Sequence, residues 1–158
     1  MQTDYSGMPK GVEGGLGDSG IIDIITRRCA SIVKFGYGLI VTATEGLAAL
    51  PSATGFTFEG ISVMIHKAIP NSTGEAQYEI DEAISVLRKG RIWVLSESIV
   101  NPSSPVFLRH TVNGGTTAPG RFRIDADTAR ADDISANARW LTTTTAIDQL
   151  ALLEINLP

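Results

Sequence analysis

Apolar residues recur along the chain in short runs of strand length, separated by Gly, Pro, Asn and Ser. Alternation at period two is clear in residues 33–41, 121–127 and 150–157. This period is typical of a strand with one buried face. We count eight or nine such runs and little helix. The pattern predicts a mainly β fold in a single domain, either a β-sandwich, a jelly-roll-like fold or a small barrel.

Three local features refine this prediction. Gly36 and Gly38 alternate with the apolar residues of the first run, which indicates a bare strand face that another backbone can approach closely. Gly60 interrupts the next run and predicts a bend or bulge. Residues 75–90 fit neither period cleanly, so a short helical turn near residues 80–83 is allowed. Lys89-Gly90-Arg91 then predicts a turn into the following strand.

The first twenty residues have a different composition from the rest. They contain six of the sixteen glycines and few large side chains, so they cannot build a core of their own. We predict an extended Gly-rich N-terminal arm over residues 1–20 and a β-rich domain over residues 21–158. The arm is either disordered or ordered by lying on a neighbour.

Length and charge exclude several classes of protein. The chain has 158 residues and a formal charge of −4, without the basic excess expected of a nucleic-acid-binding domain. The most apolar stretch, residues 32–43, is interrupted by polar residues and glycines, so we predict no membrane span. The N-terminus has no secretory signal pattern, and Cys29, the single cysteine, rules out an intrachain disulfide. We therefore expect folding in a cytoplasm.

Residues 15–20 read Gly-Leu-Gly-Asp-Ser-Gly and match two short motifs. The dinucleotide-binding fingerprint needs a strand before it and a helix after it, and the sequence predicts neither here. The Gly-Asp-Ser-Gly portion echoes the nucleophile loop of chymotrypsin-like proteases. In those enzymes the histidine and aspartate precede the serine, whereas both histidines of this chain follow Ser19. We therefore predict no cofactor site and no nucleophile in this segment.

The remaining polar residues give no strong signal for chemistry. His66 and His110 have no neighbouring metal ligands in sequence. Asp125, Asp127, Asp132 and Asp133 lack the spacing of an EF-hand loop and are interpreted as a solvated acidic rim. Cys29 follows two arginines without an obvious base, so packing is the favoured role. The sequence thus predicts no catalytic constellation, no cofactor and no metal site, which is typical of a structural or interaction protein.

Five segments in the second half of the chain resemble tailed-bacteriophage capsid cement proteins, also called structural cement or head decoration proteins. The resemblance rests on the order and spacing of these segments together: residues 91–97 (RIWVLSE), 105–109 (PVFLR), 120–123 (GRFR), 138–141 (ARWL) and 151–157 (ALLEINL). It extends more weakly to the arm, because members of this family also open with an arm that contains Gly and Pro.

This resemblance implies a non-enzymatic virion protein made and assembled in the host cytoplasm. Such a protein binds the outer surface of an icosahedral capsid and bridges neighbouring major capsid proteins. Cement proteins commonly form homotrimers, although dimers exist. Binding only the assembled lattice would stabilise it by mass action, and multivalent attachment would add to the effect.

Under this hypothesis the arm supplies the contacts with the capsid or with another subunit, and it can do so by adding a strand to an exposed sheet edge. The predicted contact residues are Tyr5, Met8, Pro9, Val12, Leu16, Ile21 and Ile22. Trp93 and Trp140 are predicted to be core or oligomer anchors, with the core favoured.

Two other interpretations stay open at this point. One is a β-barrel enzyme or small-ligand binder whose site is assembled from distant residues, of which His66, His110, Glu97 and Arg109 are the best candidates. The other is a tail or adhesin component, which the lack of long repeats disfavours.

Overall fold

The computed structural model describes residues 11–17, 20–65 and 76–158, which form ten strands. The strands are β1 (Asp23–Cys29), β2 (Gly38–Val41), β3 (Leu47–Ala49), β4 (Phe58–Ser62), β5 (Ala83–Ser96), β6 (Phe107–Arg109), β7 (Phe122–Arg123), β8 (Ala131–Asp133), β9 (Ala138–Trp140) and β10 (Gln149–Asn156). These residues include no helix, and therefore none with the length and apolarity needed to cross a membrane.

The first five strands close into a small barrel. Their order is β1-β3-β2-β4-β5, and β1 pairs back onto β5 to complete the circle. All of these pairings are antiparallel except that between β1 and β3. The mainly β prediction is confirmed, and of the architectures that the sequence allowed, the structure contains the small barrel with extra strands.

The second half of the chain extends the sheet from the far end of β5. β10 pairs antiparallel with β5 along residues 89–96, and β9 pairs with β10. On the other path, β7 pairs with β5 at Ser96, and β6 joins β7 to β8. The last strand matches the alternation of the sequence, since Leu153 and Ile155 are buried whereas Asn156 is exposed.

β5 is long enough to belong to both halves. Ile84 and Val86 pack into the core cluster of the barrel, whereas Leu87, Ile92 and Val94 pack into the larger cluster of the second half. The predicted turn at residues 89–91 is therefore wrong, because the strand continues through it. Glycine is nevertheless required at this position, because Gly90 has a φ of 134°, which only glycine adopts without strain.

Three other local expectations have mixed outcomes. The run 33–41 is a regular strand only from residue 38, although Val33, Phe35 and Leu39 are buried as the alternation implies. The run 121–127 keeps only two residues in β7, because residues 127–129 turn with positive φ. A turn, and no helix, precedes β5 at residues 80–81.

Gly60 marks the predicted irregularity in β4, where the register with β2 shifts. Its φ is 145°, and a Cβ at this position would lie 2.3 Å from the carbonyl oxygen of Leu87 on the neighbouring strand. A side chain here would push β4 off β5, where the barrel is closed.

We expect Gly60→Ala to lower the free energy of unfolding by about 3 kcal/mol or more, because backbone strain and a backbone clash add together. Gly55→Ala is the matched control. Gly55 also has a positive φ of 78°, but a Cβ there meets nothing within 4 Å, so the loss should be about 1 kcal/mol. Urea unfolding of both variants measures the difference, and equal losses would contradict the clash.

Candidate functional site

The described part of the arm, residues 11–17, lies along β5 of its own chain. We call these residues the arm segment. Gly14 N–H donates to the carbonyl of Trp93 at 2.8 Å, and Trp93 N–H donates to the carbonyl of Gly15 at 2.9 Å. Gly17 N–H donates to the carbonyl of Arg91 at 2.8 Å. This segment is therefore ordered by backbone hydrogen bonds to Arg91 and Trp93 of its own chain.

Glycine is what allows this close approach. A Cβ at Gly11 would lie 2.1 Å from the Trp93 ring, and one at Gly17 would lie 2.3 Å from the Leu152 side chain. Gly36 has the same role on the barrel side, since a Cβ there would meet the backbone nitrogen of Gly14 at 2.9 Å. The predicted close approach of another backbone is confirmed at Gly36, where that backbone is the arm segment, although Gly36 precedes β2. At Gly38 the space is filled by the side chains of Leu108 and Phe122 instead.

Glu13 lies within the arm segment and is half-buried. Burial raises the pKa of its carboxyl, and the positive charges of Arg121 and Lys34 oppose that rise. The raised pKa means that burial disfavours the charged form of this carboxyl in the folded chain.

The predicted contact residues that the structure describes are all exposed. Val12 and Leu16 project from the arm segment, and Ile21, 84% exposed, and Ile22 follow it. Ile24, on β1, continues the same apolar stretch and is 41% exposed, although the sequence analysis did not select it. We call these five residues the arm surface. Tyr5, Met8 and Pro9 lie outside the described residues, and so does Ser19.

The two tryptophans have different surroundings. Trp140 is buried in the larger core cluster, and its ring N–H donates to the carbonyl of Pro105 at 3.1 Å. Trp93 is half-buried on the outer face of β5, beneath Gly11 of the arm segment.

Two of the four residues predicted for an enzyme or ligand site, Glu97 and Arg109, belong to a charge cluster. Arg109 is completely buried; its Nε donates to Glu97 at 2.7 Å and its Nη2 to Asp127 at 2.7 Å. Arg123 lies 3.4 Å from Glu97 and 3.2 Å from Asp127. The hydrogen bond from Arg109 is the main cause that lowers the pKa of the Asp127 carboxyl, and Asn113 and Arg123 add to it against the effect of burial.

The other candidate polar residues that the structure describes lie apart from this cluster. His110 is buried with its Nε2 3.5 Å from Asp132, and His66 lies outside the described residues. Cys29 is buried in the barrel core. Asp132 also accepts hydrogen bonds from Thr54 and Gly55. It therefore joins a loop to β8, whereas the sequence predicted a solvated acidic rim. Within residues 11–17, 20–65 and 76–158, no His, Cys, Asp and Glu group could hold a metal ion.

The charge cluster does not line either of two surface cavities that the described residues form. A cavity of about 350 Å³ adjoins the arm surface between Ile21, Arg91 and Glu154. A second, of about 520 Å³, lies between the barrel and β8. Neither is lined by Glu97, Arg109 or His110. Arg109 and its partners join the segments that carry Glu97 and Asp127.

Two aspartates that pair with buried arginines have strained backbone conformations. Asp127 and Asp148 have φ values of 43° and 56°. Arg109 donates a hydrogen bond to Asp127 at 2.7 Å, and Arg121 donates one to Asp148 at 2.8 Å. Conformations of this kind persist where the surroundings impose them, so the buried arginines hold these loops in shape. The only sequence signal for these ion pairs was the alternation of charged residues over residues 121–127. That alternation predicted a strand with one solvent-exposed face instead.

Comparison with known proteins gives a family for the whole chain. The model of a family described as Structural cement protein (E217 gp24/Pam3 gp6) matches residues 1–156. No curated protein matches the chain. A chain from the capsid of Myoviridae phage XM1 has a TM-score of 0.69 at 16% identity, covering 98% of both chains, and therefore has a similar fold. The head fiber gp8.5 N base of bacteriophage phi29 has a TM-score of 0.45 at 14% identity, covering 86% of this chain and 95% of that one.

We expect Arg109→Met to lower the free energy of unfolding by about 3 kcal/mol, because it leaves the buried carboxylates of Glu97 and Asp127 short of a partner. The control is Arg139→Met, which breaks an ion pair with Glu154 from a side chain that is 67% exposed. Its cost should stay below about 1 kcal/mol. Chemical denaturation of both variants tests this, and a small loss for Arg109→Met would mean that Arg123 alone satisfies the cluster.

The lowered pKa of Asp127 predicts a pH dependence of stability. The carboxyl adds stability that is fully present above its unfolded pKa of about 3.9 and is lost as the pH falls through the lower pKa of the folded state. Asp127→Asn should therefore be less stable than the parent at neutral pH and should lose less stability in this acid range. Unfolding measured across the range tests the prediction, and parallel profiles would contradict it.

Proposed function

Because the chain belongs to the structural cement protein family of bacteriophages, we propose that it binds the outer surface of an assembled capsid and bridges neighbouring major capsid proteins. Membership of this family gives the chain a structural role in the phage capsid and a place in the virion. To that role the proposal adds the outer capsid surface as the binding site, the major capsid protein as the partner, and the bridging of neighbouring subunits. It also includes assembly in the host cytoplasm, no cofactor, no direct contact with nucleic acid or membrane, and self-association as a homotrimer or a dimer.

The observation that carries this proposal is the family match, which spans both the arm and the β domain. The arm surface supports it physically. Ile21 and Ile22 are apolar and exposed on the segment that leads from the arm into β1. Exposed apolar side chains grouped in this way are typical of a protein contact site. A rigid domain that carries an apolar surface beside its anchored arm is suited to binding between capsid subunits.

A non-enzymatic function is supported by the charge cluster. Glu97 and Arg109, the best residues for a catalytic site, use their charged groups on each other and on Asp127. A general acid or base needs a free position facing substrate, and these groups are buried beneath loops. We therefore propose no reaction for this chain.

The proposal is tested by co-sedimentation of the purified chain with assembled capsids that lack it, beside unassembled capsid subunits. We expect saturable binding to shells, at a ratio set by the lattice, and none to free subunits. Absence of binding to matched shells would overturn the function. Equal binding to free subunits would overturn the preference for the assembled lattice.

Within that assay, Ile21→Asp should weaken binding to shells by about 10-fold or more, because a charge would be buried in the contact. Ile147→Asp is the matched control, since Ile147 is 61% exposed but lies in the loop before β10. It should bind as the parent does, and both variants should keep the parent's unfolding temperature. Similar losses for the two variants would remove the arm surface from the contact.

A further inference from the structure

Asn113 and Gly114 lie side by side in the exposed loop between β6 and β7. Of the five asparagines in the sequence, Asn113 is the only one that glycine follows. Asparagine amides are chemically labile, and the group that attacks them is the backbone nitrogen of the following residue. Glycine leaves that nitrogen accessible because it has no Cβ. This dipeptide is therefore the position in the sequence at which such an attack is least hindered.

The structure leaves the attacking nitrogen free. The N–H of Gly114 donates no hydrogen bond within the part of the chain that the structure describes. The loop is held by neighbouring groups instead, since Asn113 N–H donates to Oγ1 of Thr117 at 2.9 Å, and that hydroxyl donates to the carbonyl of Gly114 at 2.7 Å. A Cβ on Gly114 or Gly115 would meet nothing within 4 Å. The backbone beside the amide of Asn113 is thus unobstructed.

We propose that Asn113 is a site of spontaneous deamidation, in which the Gly114 nitrogen attacks the side-chain carbonyl carbon. A bond forms between the Gly114 nitrogen and Cγ of Asn113, and the bond between Cγ and Nδ2 breaks. The Gly114 nitrogen gives its proton to water, and Nδ2 takes one proton from water and leaves as ammonia. Water then opens the resulting five-membered succinimide at either carbonyl. The products are aspartate and isoaspartate, and nothing is oxidised or reduced.

The product adds a negative charge beside Asp127. In the folded chain Nδ2 of Asn113 donates to both carboxylate oxygens of Asp127, each at 3.0 Å. A carboxylate in place of the amide only accepts hydrogen bonds, so it repels Asp127. In the part of the chain that the structure describes, the ion pairs here join two guanidinium groups and three carboxylates, those of Arg109, Arg123, Glu97, Asp125 and Asp127. Deamidation therefore increases an existing excess of negative charge.

The loop has little freedom to move away from this repulsion. Arg109 Nη1 donates to the carbonyl of Thr111 at 2.8 Å, which fixes the backbone two residues before Asn113. Isoaspartate also lengthens the main chain by one carbon between this contact and the one at Thr117. Both products therefore weaken the loop and the charge cluster. Because the family is that of a capsid-associated virion protein, whose copies are not replaced after assembly, the product accumulates with the age of the particle.

Peptide mapping by mass spectrometry of the purified full chain, incubated at mildly alkaline pH, measures the reaction. We expect the conversion of amide to acid at Asn113 well before any at Asn137, which alanine follows, or at Asn101, whose following proline has no N–H. A synthetic peptide of residues 109–118 reports the reaction without the fold. An Asn113 that stays intact in the full chain while the peptide converts would overturn the proposal.

The attacking nitrogen is tested by two matched variants. Gly114→Ala should slow the reaction by about 10-fold or more, because a Cβ hinders the approach of the nitrogen. Gly115→Ala is the control, since both glycines have positive φ and open space around a Cβ. It should react at the parent's rate. Equal slowing by the two variants would overturn the assignment of Gly114 as the attacking group.

The effect on the cluster is measured by urea unfolding. Asn113→Asp reproduces one product, and its unfolding midpoint should lie below that of Asn113→Ala, which only removes the hydrogen bonds to Asp127. In an Asp127→Asn background this difference should shrink or reverse, because the repelled carboxylate is gone. Equal midpoints for the two Asn113 variants, or a difference that the Asp127→Asn background leaves unchanged, would overturn the destabilisation.

Discussion

The backbone of β5 is the constraint on which the rest of the structure depends. Residues 83–87 and Lys89 pair with β1 on one edge, and Val86 and Leu87 pair with β4 on the other, which closes the barrel. Beyond Gly90 the same strand pairs with β10 on one edge and with the arm segment on the other, both at Ile92. The barrel, the second half and the arm segment thus all pair with the same strand. The side chains of that strand contribute to both core clusters.

This arrangement explains why the glycines of the arm lie where they do. Backbone pairing with β5 fixes the distance of the arm segment from the sheet, and the outer face of β5 at this level carries Trp93 and Arg91. Gly11 and Gly17 leave room for those large side chains and for Leu152. The backbone of the arm segment is consequently held beside β5 at residues 91–93.

The sequence predicted the kind of fold better than its boundaries. Alternation located the buried residues of β10 and the close approach at Gly36, because both depend on local side-chain size. It failed at Gly90, because a glycine inside a continuous strand looks the same in sequence as a glycine that ends a strand. It also failed at residues 121–127, where the charges read as a solvent-facing strand but Arg123 and Asp127 belong to a cluster around Arg109. That cluster depends on contacts with Glu97, which no local pattern contains.

The position of β5 along the chain has a consequence for synthesis. Asp23 pairs with Lys89, and Asn156 pairs with the same residue, so the barrel cannot close until β5 has left the ribosome, and β10 joins after about 60 further residues have been made. Pairings this distant in sequence make folding slow compared with that of helical proteins of similar size. Until then β1 and the apolar residues Ile21 and Ile22 before it have no β5 to pair with, and an unpaired strand with exposed apolar residues is prone to aggregate.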